Sequence, residues 1–463
     1  MSKTSTYHFE ISERIVLLRI FDIVFSLGTL FLVGQIFDFG YFSIRVDSWI
    51  WSIVLAIYLI IFAEIFELYN LQKASKFYKT FQNITLATSI TVLFYILTPF
   101  YTPPLPENRL QIIYFFLSLL TPLALWRYAY VKFVAIQRFN KRILIVGDSF
   151  DVDDIKEQLE KADPNLTLVG YVDTNKKTAK PKDHHLIEFN VLDIRRSINE
   201  FDINEVVVTS THDENITAEL YSELIYLLEN GFPIKEYTQV YEEITHRIPV
   251  QHVAKDFYRY FPFSRSNQNK LYLFFQRLFD ILFAGIGVLV GSLFLPFILV
   301  GNLVGNRGPL FYSQMRVGKN GKVFYILKLR SMVTNAESGG AQWAQKNDAR
   351  ITVFGKLLRK SRLDELPQFL NILKGDMSLI GPRPERPVFV RELSRKIPFY
   401  ETRHVINPGL TGWAQVNAKY ASSEEDTLEK LQYDLYYIKH RSFFLDIRII
   451  LRTLSTVIFF RGQ

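Results

Sequence analysis

Four apolar runs, each close to the length of a bilayer-crossing helix, fill the first third of this chain and constrain its fold more than any other feature. They cover roughly Ile15–Phe37, Trp49–Leu68, Phe81–Phe100 and Leu110–Val134, and a helix needs about 20 apolar residues to cross the hydrocarbon core. Their connectors set the orientation. Lys3, Arg14 and Arg19 stand at the start of the first run, Lys73, Lys76 and Lys79 after the second, and Lys132, Arg138, Lys141 and Arg142 after the fourth. The other two connectors are poor in base, with Arg45 against Asp38 and Asp47, and Arg109 against Glu107. Positive charge stays on the cytoplasmic side, so the N-terminus and everything after residue 138 are predicted there. MSKTSTYHFEISER has no small-residue cleavage site, and the first run is read as retained. Asp22, Glu64 and Glu67 lie within or at the ends of these helices. They are read as snorkelling or pairing helices rather than lining a functional path.

A fifth run, Leu278–Val304, would reach about 40 Å as a straight helix. Pro296 interrupts it, deleting a backbone hydrogen bond and predicting a kink. Both flanks are basic: Lys255, Arg259, Arg265, Lys270 and Arg277 before, Arg307, Arg316, Lys319 and Lys322 after. A spanning helix would export one of these clusters, so the run is read as re-entrant, bending at Pro296 and returning. Carbonyls freed at the bend need partners, and the Ser292 hydroxyl is the candidate.

Composition agrees. Hydrophobic residues make up 49% of the 463, with 40 Phe and 25 Tyr, clustered in runs rather than spread as in a soluble globule. The net charge of +8 lies beside those runs, which points to anionic lipid and phosphate-bearing substrates rather than nucleic acid. The absence of cysteine excludes disulfides, thiolate nucleophiles and cysteine-ligated metals, and the eight histidines show no HExxH spacing for zinc.

From Lys141 the pattern becomes α/β. Arg142–Val146, Leu166–Val172, Glu205–Thr209 and Phe232–Glu236 read as strands with helical stretches between them, predicting a small parallel, Rossmann-like sheet. Its first turn, VGDSFDVDD, offers the single Gly147 where a dinucleotide fingerprint needs three, and acids crowd the place a pyrophosphate would occupy. A scaffolding or interaction role is the expectation. A basic aromatic linker, KDFYRYFPFSRSNQNK, follows.

Beyond residue 305 the chain is water-facing. FYSQMRVGKNGKVFYILKLRSM carries two strand patterns around the turn Lys319-Asn320-Gly321. Val353–Arg359 and Leu366–Leu373 read as helix interrupted by the polar SRLDE, and the tail SFFLDIRIILRTLSTVIFFRGQ as a helix lying in the membrane interface. Within SRLDELP, Asp364 and Glu365 precede Pro367, which is tolerated in a first helical turn, so both acids belong at the N-terminus of Gln368–Leu373. That helix end and Arg359, Lys360 and Arg362 favour ionised carboxylates, which suit a nucleophile or metal ligand better than a general acid. For either acid alone, ordinary capping is the competing reading. Their company includes the Gly375-Asp376 turn and the corner Gly381-Pro382-Arg383-Pro384-Glu385, whose prolines fix the backbone around one guanidinium suited to bidentate phosphate recognition. Lys328 and Arg330, ending a strand, add to the same electropositive pocket. Pro408–Gln415 (PGLTGWAQ) either binds a polar ligand or is a Gly-rich turn closing a core.

In order, KLRSM, RLDELPQFLNILKGDMSLIGPRPE and NPGLTGWAQVN resemble the motifs of the bacterial monotopic phosphoglycosyl transferases, from about Phe274 to the C-terminus. The preceding helices and α/β domain resemble the long architecture of the exopolysaccharide- and O-antigen-initiating members, such as undecaprenyl-phosphate glucose- or galactose-1-phosphate transferases. The resemblance implies transfer of a sugar-1-phosphate from a UDP-sugar to polyprenyl (undecaprenyl) phosphate at the bacterial inner membrane, with Mg²⁺ and release of UMP, initiating exopolysaccharide, capsule or O-antigen synthesis. It implies Asp364 as the nucleophile that carries a phosphosugar intermediate, and Glu365 beside it as the Mg²⁺ ligand. Arg359 and Arg383 are implied as nucleotide-phosphate contacts, and a homodimer as the assembly. With them Lys328, Arg330 and Gln415 make up the expected substrate site, and Pro296 with Ser292 the membrane bend. Two departures stand out: Leu295 precedes Pro296 where such proteins usually have Ser, and Asn417-Ala418-Lys419 replaces Asn-Gly-Arg.

The expected organisation is four transmembrane helices (1–138), a Rossmann-like cytoplasmic domain (139–254), the linker (255–277), a re-entrant helix (278–305) and an α/β-type catalytic domain (306–463). Two other classes compete. An inactive scaffold of a polysaccharide-assembly complex is opposed by the intact dyad and corner. A membrane-bound nucleotide-dependent oxidoreductase is opposed by the missing glycines.

Overall fold

A computed structural model of the chain describes residues 11–458 apart from 38, 40, 43, 45–47, 70–76, 135–140, 148–151, 164, 174–185, 210–216, 251–266, 268, 337–347 and 419–422. It comprises two compact units, Met1–Thr245 and His246–Gln463. Much of the basic aromatic linker, and Lys419, therefore lie outside the described residues.

In the first unit the apolar runs form helices α1 (Ile11–Ile36), α2 (Trp49–Ile65), α3 (Phe77–Leu97) and α4 (Leu110–Ala129). Three segments here are long and apolar enough to cross a membrane: Glu13–Ile36, Thr80–Leu97 and Leu110–Phe133. The second run makes a shorter helix than its composition suggests. α2 has 17 residues, about 25 Å, because the chain turns after Ile65 and Glu67 takes a left-handed conformation at φ 58°. Leu30, Phe42, Leu55, Tyr95, Phe115 and Leu119 form the bundle core. Two of the acids noted in these helices pair between helices. Arg127 donates to Asp22 at 2.6 Å and Arg19 to Glu64 at 2.8 Å.

The α/β part of this unit runs β1 (Lys141–Gly147), α5 (Val152–Ala162), β2 (Leu166–Asp173), β3 (Ile187–Glu188), α6 (Ile194–Glu200), β4 (Glu205–Thr209), α7 (Ala218–Glu229), β5 (Ile234–Glu236) and α8 (Tyr237–Thr245). The strands pair in parallel in the order β3-β2-β1-β4-β5. Alternation along β1 sends Ile143 and Ile145 to a core with α5 and α8, and Leu144 and Val146 to one with α6 and α7. Helices thus cover both faces, as parallel sheets require.

The second unit begins earlier than the sequence pattern placed it, since His246–Val250 pack here: Ile248 and Val250 are core residues. Its long helix α9 (Lys270–Gly301) starts at Asn269, whose side chain accepts from the Leu271 and Tyr272 amides. A single π turn, Asn302–Asn306, continues it. The segment Lys270–Asn306 is also long and apolar enough to cross a membrane. The helix runs unbroken through Pro296, which corrects the expectation of a bend and return there. Proline frees the carbonyl of Ser292, and the Ser292 hydroxyl cannot serve it, because it donates to Leu289 O at 2.6 Å.

One face of α9 is covered along nearly its whole length. Arg277 donates to the carbonyls of Ile372 and Leu373, and the Asp280 carboxylate accepts from Ser378 and the Leu379 amide. Farther on, a Cβ at Gly287 would stand 2.5 Å from the Phe369 ring and one at Gly301 2.2 Å from that of Phe354. The opposite face exposes Leu282, Leu289, Leu293 and Val300.

Hairpin β6 (Phe311–Val317) and β7 (Val323–Leu329) pairs from Phe311↔Leu329 to Val317↔Val323, with Asn320 and Gly321 both left-handed in the turn, as the Asn-Gly pair predicts. Then come α10 (Val353–Lys360), α11 (Gln368–Lys374), β8 (Ser378–Ile380), α12 (Pro387–Lys396), β9 (Gly409–Thr411), α13 (Trp413–Asn417), α14 (Glu424–His440) and α15 (Phe443–Ile458). Trp413, Tyr400, Leu431, Leu435, Tyr437 and Ile449 form their core. Pro408–Gln415 is thus a turn that closes a core, through buried Trp413, and it also brings Gln415 to a cleft.

Candidate active site

The Asp-Glu pair owes its position to a break in the helix. α10 ends at Lys360, Arg362 follows as a non-glycine residue with φ 61°, and Leu363–Glu365 then form one 3₁₀ turn before Pro367 opens α11. An arginine held in the left-handed region is an uncommon conformation of the kind that collects at functional sites. The turn delivers Asp364 and Glu365 side by side into a cleft of about 470 Å³, and both are more than nine-tenths buried. Gly375 closes α11 at φ 92°, the left-handed residue expected of the Lys-Gly-Asp turn.

The two carboxylates are not treated alike. Glu365 is held by Arg383 at 2.8 Å, Lys328 at 3.3 Å and Arg362 at 3.5 Å. Burial alone would raise its pKa, but Arg383, Lys328 and Arg362 together hold it well below the usual carboxylate range. Among the described residues, no cation stands within ion-pair distance of Asp364. Burial, with the Glu365 charge adding, pushes its carboxyl up to about 6, against the pull of Lys328, Arg359 and Arg383. This corrects the expectation that the helix end and neighbouring bases hold both acids firmly ionised. Desolvation wins at Asp364, giving a carboxylate still mostly charged at neutral pH yet more basic than a free one. Such tuning suits a nucleophile. Lys328 in turn is pushed down by burial, opposed by Glu365.

The Pro-Arg-Pro corner is clamped from outside. With prolines at 382, 384 and 387 it has few amides for a ladder of its own, yet four successive carbonyls are occupied. Pro382 O accepts from the Gly409 amide, Arg383 O from Arg403, Pro384 O from Arg316 and Glu385 O from the Val317 amide. Gly381 and Gly409 permit this, because a Cβ on Gly409 would lie 2.1 Å from the Gly381 nitrogen. On the opposite wall, Arg359 donates through Nε to the Ser331 hydroxyl at 2.9 Å.

Of the residues predicted from sequence, Asp364, Glu365, Lys328, Arg330, Arg359, Arg383 and Gln415 all line the one cleft. Arg330 does so from the rim, its Nε donating to Pro309 O and its guanidinium over the Tyr312 ring. Gln415 donates to Leu410 O, and its buried Oε1 has no partner among the described residues. Pro296 and Ser292 are elsewhere, on α9. The sequence reading did not single out Arg316, Ser331, Arg350, Arg386, Arg403, Lys430 or Asp434, which also line the cleft. Ser331 had a signal, lying within KLRSM. The rest come from separated elements with no local pattern. In all, ten Lys or Arg residues face four carboxylates in this lining, an excess that fits a polyanionic ligand.

Two adjacent carboxylates, with no cluster of three potential ligands among the described residues, fit Mg²⁺. That ion is commonly bound through one or two carboxylates, its shell completed by water and substrate phosphate.

Comparison with known proteins converges on the same half of the chain. The family model for bacterial sugar transferases matches residues 271–460. A UDP-N-acetylgalactosamine-undecaprenyl-phosphate N-acetylgalactosaminephosphotransferase of Aeromonas hydrophila is 40% identical over 257 residues, 55% of this chain and 59% of that protein. A UDP-glucose:undecaprenyl-phosphate glucose-1-phosphate transferase of Xanthomonas campestris pv. campestris is 46% identical over 164 residues, 35% of this chain and 34% of that protein. A putative undecaprenyl-phosphate N-acetylgalactosaminyl 1-phosphate transferase of Bacillus subtilis is 49% identical over 144 residues, 30% of this chain and 79% of that protein. The matched stretches thus span 59% and 34% of the first two relatives.

Proposed function

This chain belongs to the bacterial sugar transferase family, and from that premise we propose that it moves a sugar-1-phosphate from a UDP-sugar to undecaprenyl phosphate, releasing UMP. The product, undecaprenyl-diphosphate-sugar, would initiate exopolysaccharide, capsule or O-antigen synthesis at the cytoplasmic face of the bacterial inner membrane. The observation that carries the reading is the divided pair: one carboxylate held by three cations, its neighbour unpaired and raised, in a cleft with excess positive charge.

Asp364 attacks the sugar-bearing β-phosphorus. A bond forms from its carboxylate oxygen to phosphorus as the bond from phosphorus to the bridging oxygen breaks, and UMP departs with that electron pair. A phosphate oxygen of undecaprenyl phosphate then attacks the same phosphorus, and Asp364 leaves as free carboxylate. Arg383 and Lys328 hold Glu365 and offer positive charge to the diphosphate, while Arg359, oriented by Ser331, does so from the other wall. Asp364 and Glu365 would hold Mg²⁺, which when bound neutralises diphosphate charge.

The acceptor reaches this site from lipid, along the apolar side of α9. The helix's contacts with the domain begin at Arg277 and continue to Gly301, so a water-facing fold covers one side of both helix ends while the apolar side is left for lipid.

The test is UMP release by purified protein with undecaprenyl phosphate and a panel of UDP-sugars, with mass spectrometry of enzyme quenched during turnover. A phosphosugar adduct is expected on the peptide containing Asp364. Turnover with the adduct on another side chain would overturn the mechanism, and no UMP from any UDP-sugar would overturn the function.

A further inference from the structure

Arg383 donates to Glu365 at 2.8 Å, and its side chain is still about a third exposed to the cleft, so its position matters to both dyad and ligand. Its side chain hangs from a peptide with no place in a helix or strand. Of the four clamped carbonyls in the corner, two are met by backbone amides, from Gly409 and Val317. Pro384 O is met by Arg316, which also reaches Glu385 and Gln314. The carbonyl of Arg383 itself is met by Arg403 Nη2, at 3.0 Å.

Among the described residues, Arg403 is the one arginine of the lining that is buried, at 7% exposed, and both of its terminal nitrogens are taken by protein acceptors. Nη2 also donates to Asp434 Oδ2 at 2.7 Å, and Nη1 donates to the Tyr400 hydroxyl at 2.8 Å, with the guanidinium 5.2 Å from the Tyr400 ring centroid. Asp434 sits on α14, whose Leu431 and Leu435 belong to the domain core. A guanidinium saturated this way is a poor phosphate ligand and a good strut, because its planar fork fixes three acceptors at once.

We propose that Arg403, braced by Asp434 and Tyr400, is a positioning residue that fixes the peptide carrying Arg383, and through it Glu365. Asp434 then acts on the dyad from 70 residues away in sequence without touching substrate. The inference rests on the transferase reading above.

A double-mutant cycle tests it, read as UMP release with undecaprenyl phosphate and the best UDP-sugar of the panel. Arg403→Lys keeps a cation but cannot span the three acceptors, and is expected to lower kcat/KM about ten- to a hundredfold in the native background. In an Arg383→Lys background the same change should cost less than about twofold, because the group it positions is already gone. Asp434→Asn and Tyr400→Phe, which keep side-chain shape, should show the same non-additivity with smaller losses, and they carry the test if Arg403→Lys fails to fold. A merely structural Arg403 would lower activity by the same factor in both backgrounds, and that result, or native activity in all three variants, would overturn the proposal. The transferase reading fails separately, if Asp364→Asn still releases UMP at the native rate.

Discussion

Buried charge is handled in opposite ways by the helical bundle and the cleft. On the bundle helices three couples are matched: Arg127 with Asp22, Arg19 with Glu64, and Arg14 with Asp163 at 2.8 Å, the last joining α1 to the end of α5. Each of these three cations meets one carboxylate, as burial without a ligand demands. Among the described residues the cleft breaks the rule in both directions, with three cations on Glu365, none on Asp364, and ten bases against four acids in the lining. Matched couples hold helices together. The unmatched set leaves an excess of positive charge that an anionic ligand would balance.

The sharpest way to break this contrast is to remove the unpaired acid. Asp364→Asn is expected to lower turnover about 10⁴-fold or more. It should also raise Tm by about 1–4 °C at pH 7. The sign follows from linkage. Because burial lifts the folded-state pKa from 3.8 to about 6, folding favours the protonated acid. That contribution is complete below pH 4 and lost as pH rises through 6, so at pH 7 the native protein carries a buried charge that asparagine removes. Scanning fluorimetry in detergent decides it: a Tm drop of similar size would mean Asp364 is held by its surroundings rather than strained by them.

Changing the paired acid sharpens the comparison. In the native protein kcat/KM should decline below about pH 6 as Asp364 takes up a proton. Glu365→Gln removes the adjacent like charge and leaves Lys328 and Arg383 facing Asp364, so its pKa falls and the acid limb moves to lower pH. The maximal rate should fall about 10- to 100-fold, with a steeper requirement for Mg²⁺. A pH–rate profile of UMP release measures both, and a limb that stays in place would detach it from Asp364.

What could be read in advance was what neighbouring residues write together. The Asn-Gly hairpin, the helix split by SRLDE and the stiff Pro-Arg-Pro corner each depend on turn chemistry within a few positions, and each is present. The parallel sheet followed from its alternating pattern. What escaped was set by distance and burial. Arg403 and Asp434 lie 31 positions apart and Arg14 and Asp163 149 apart, and no spacing rule connects them. The raised pKa of Asp364 was invisible because nearby bases are legible in sequence whereas desolvation is a property of the folded cleft. For the same reason the second apolar run looked longer than α2, since composition does not record the left-handed turn at Glu67.

The smallest effect on catalysis is expected where charge is matched. Arg127 and Asp22 are almost fully buried, and Arg127 Nε and Nη1 already lack partners. Asp22→Asn therefore leaves a buried guanidinium facing a neutral amide, a change expected to cost about 3–5 kcal/mol of stability. Replacing both, as Asp22→Leu with Arg127→Met, removes the unbalanced charge with it and should recover most of that loss. In both variants kcat/KM per folded molecule should stay within about twofold of native, because neither residue belongs to the lining of the cleft. Thermal unfolding alongside UMP release per active site separates the two quantities. If the double variant folded as well as native yet lost tenfold in turnover, matched charge in the bundle would be serving the reaction, and the division drawn between the two regions would fail.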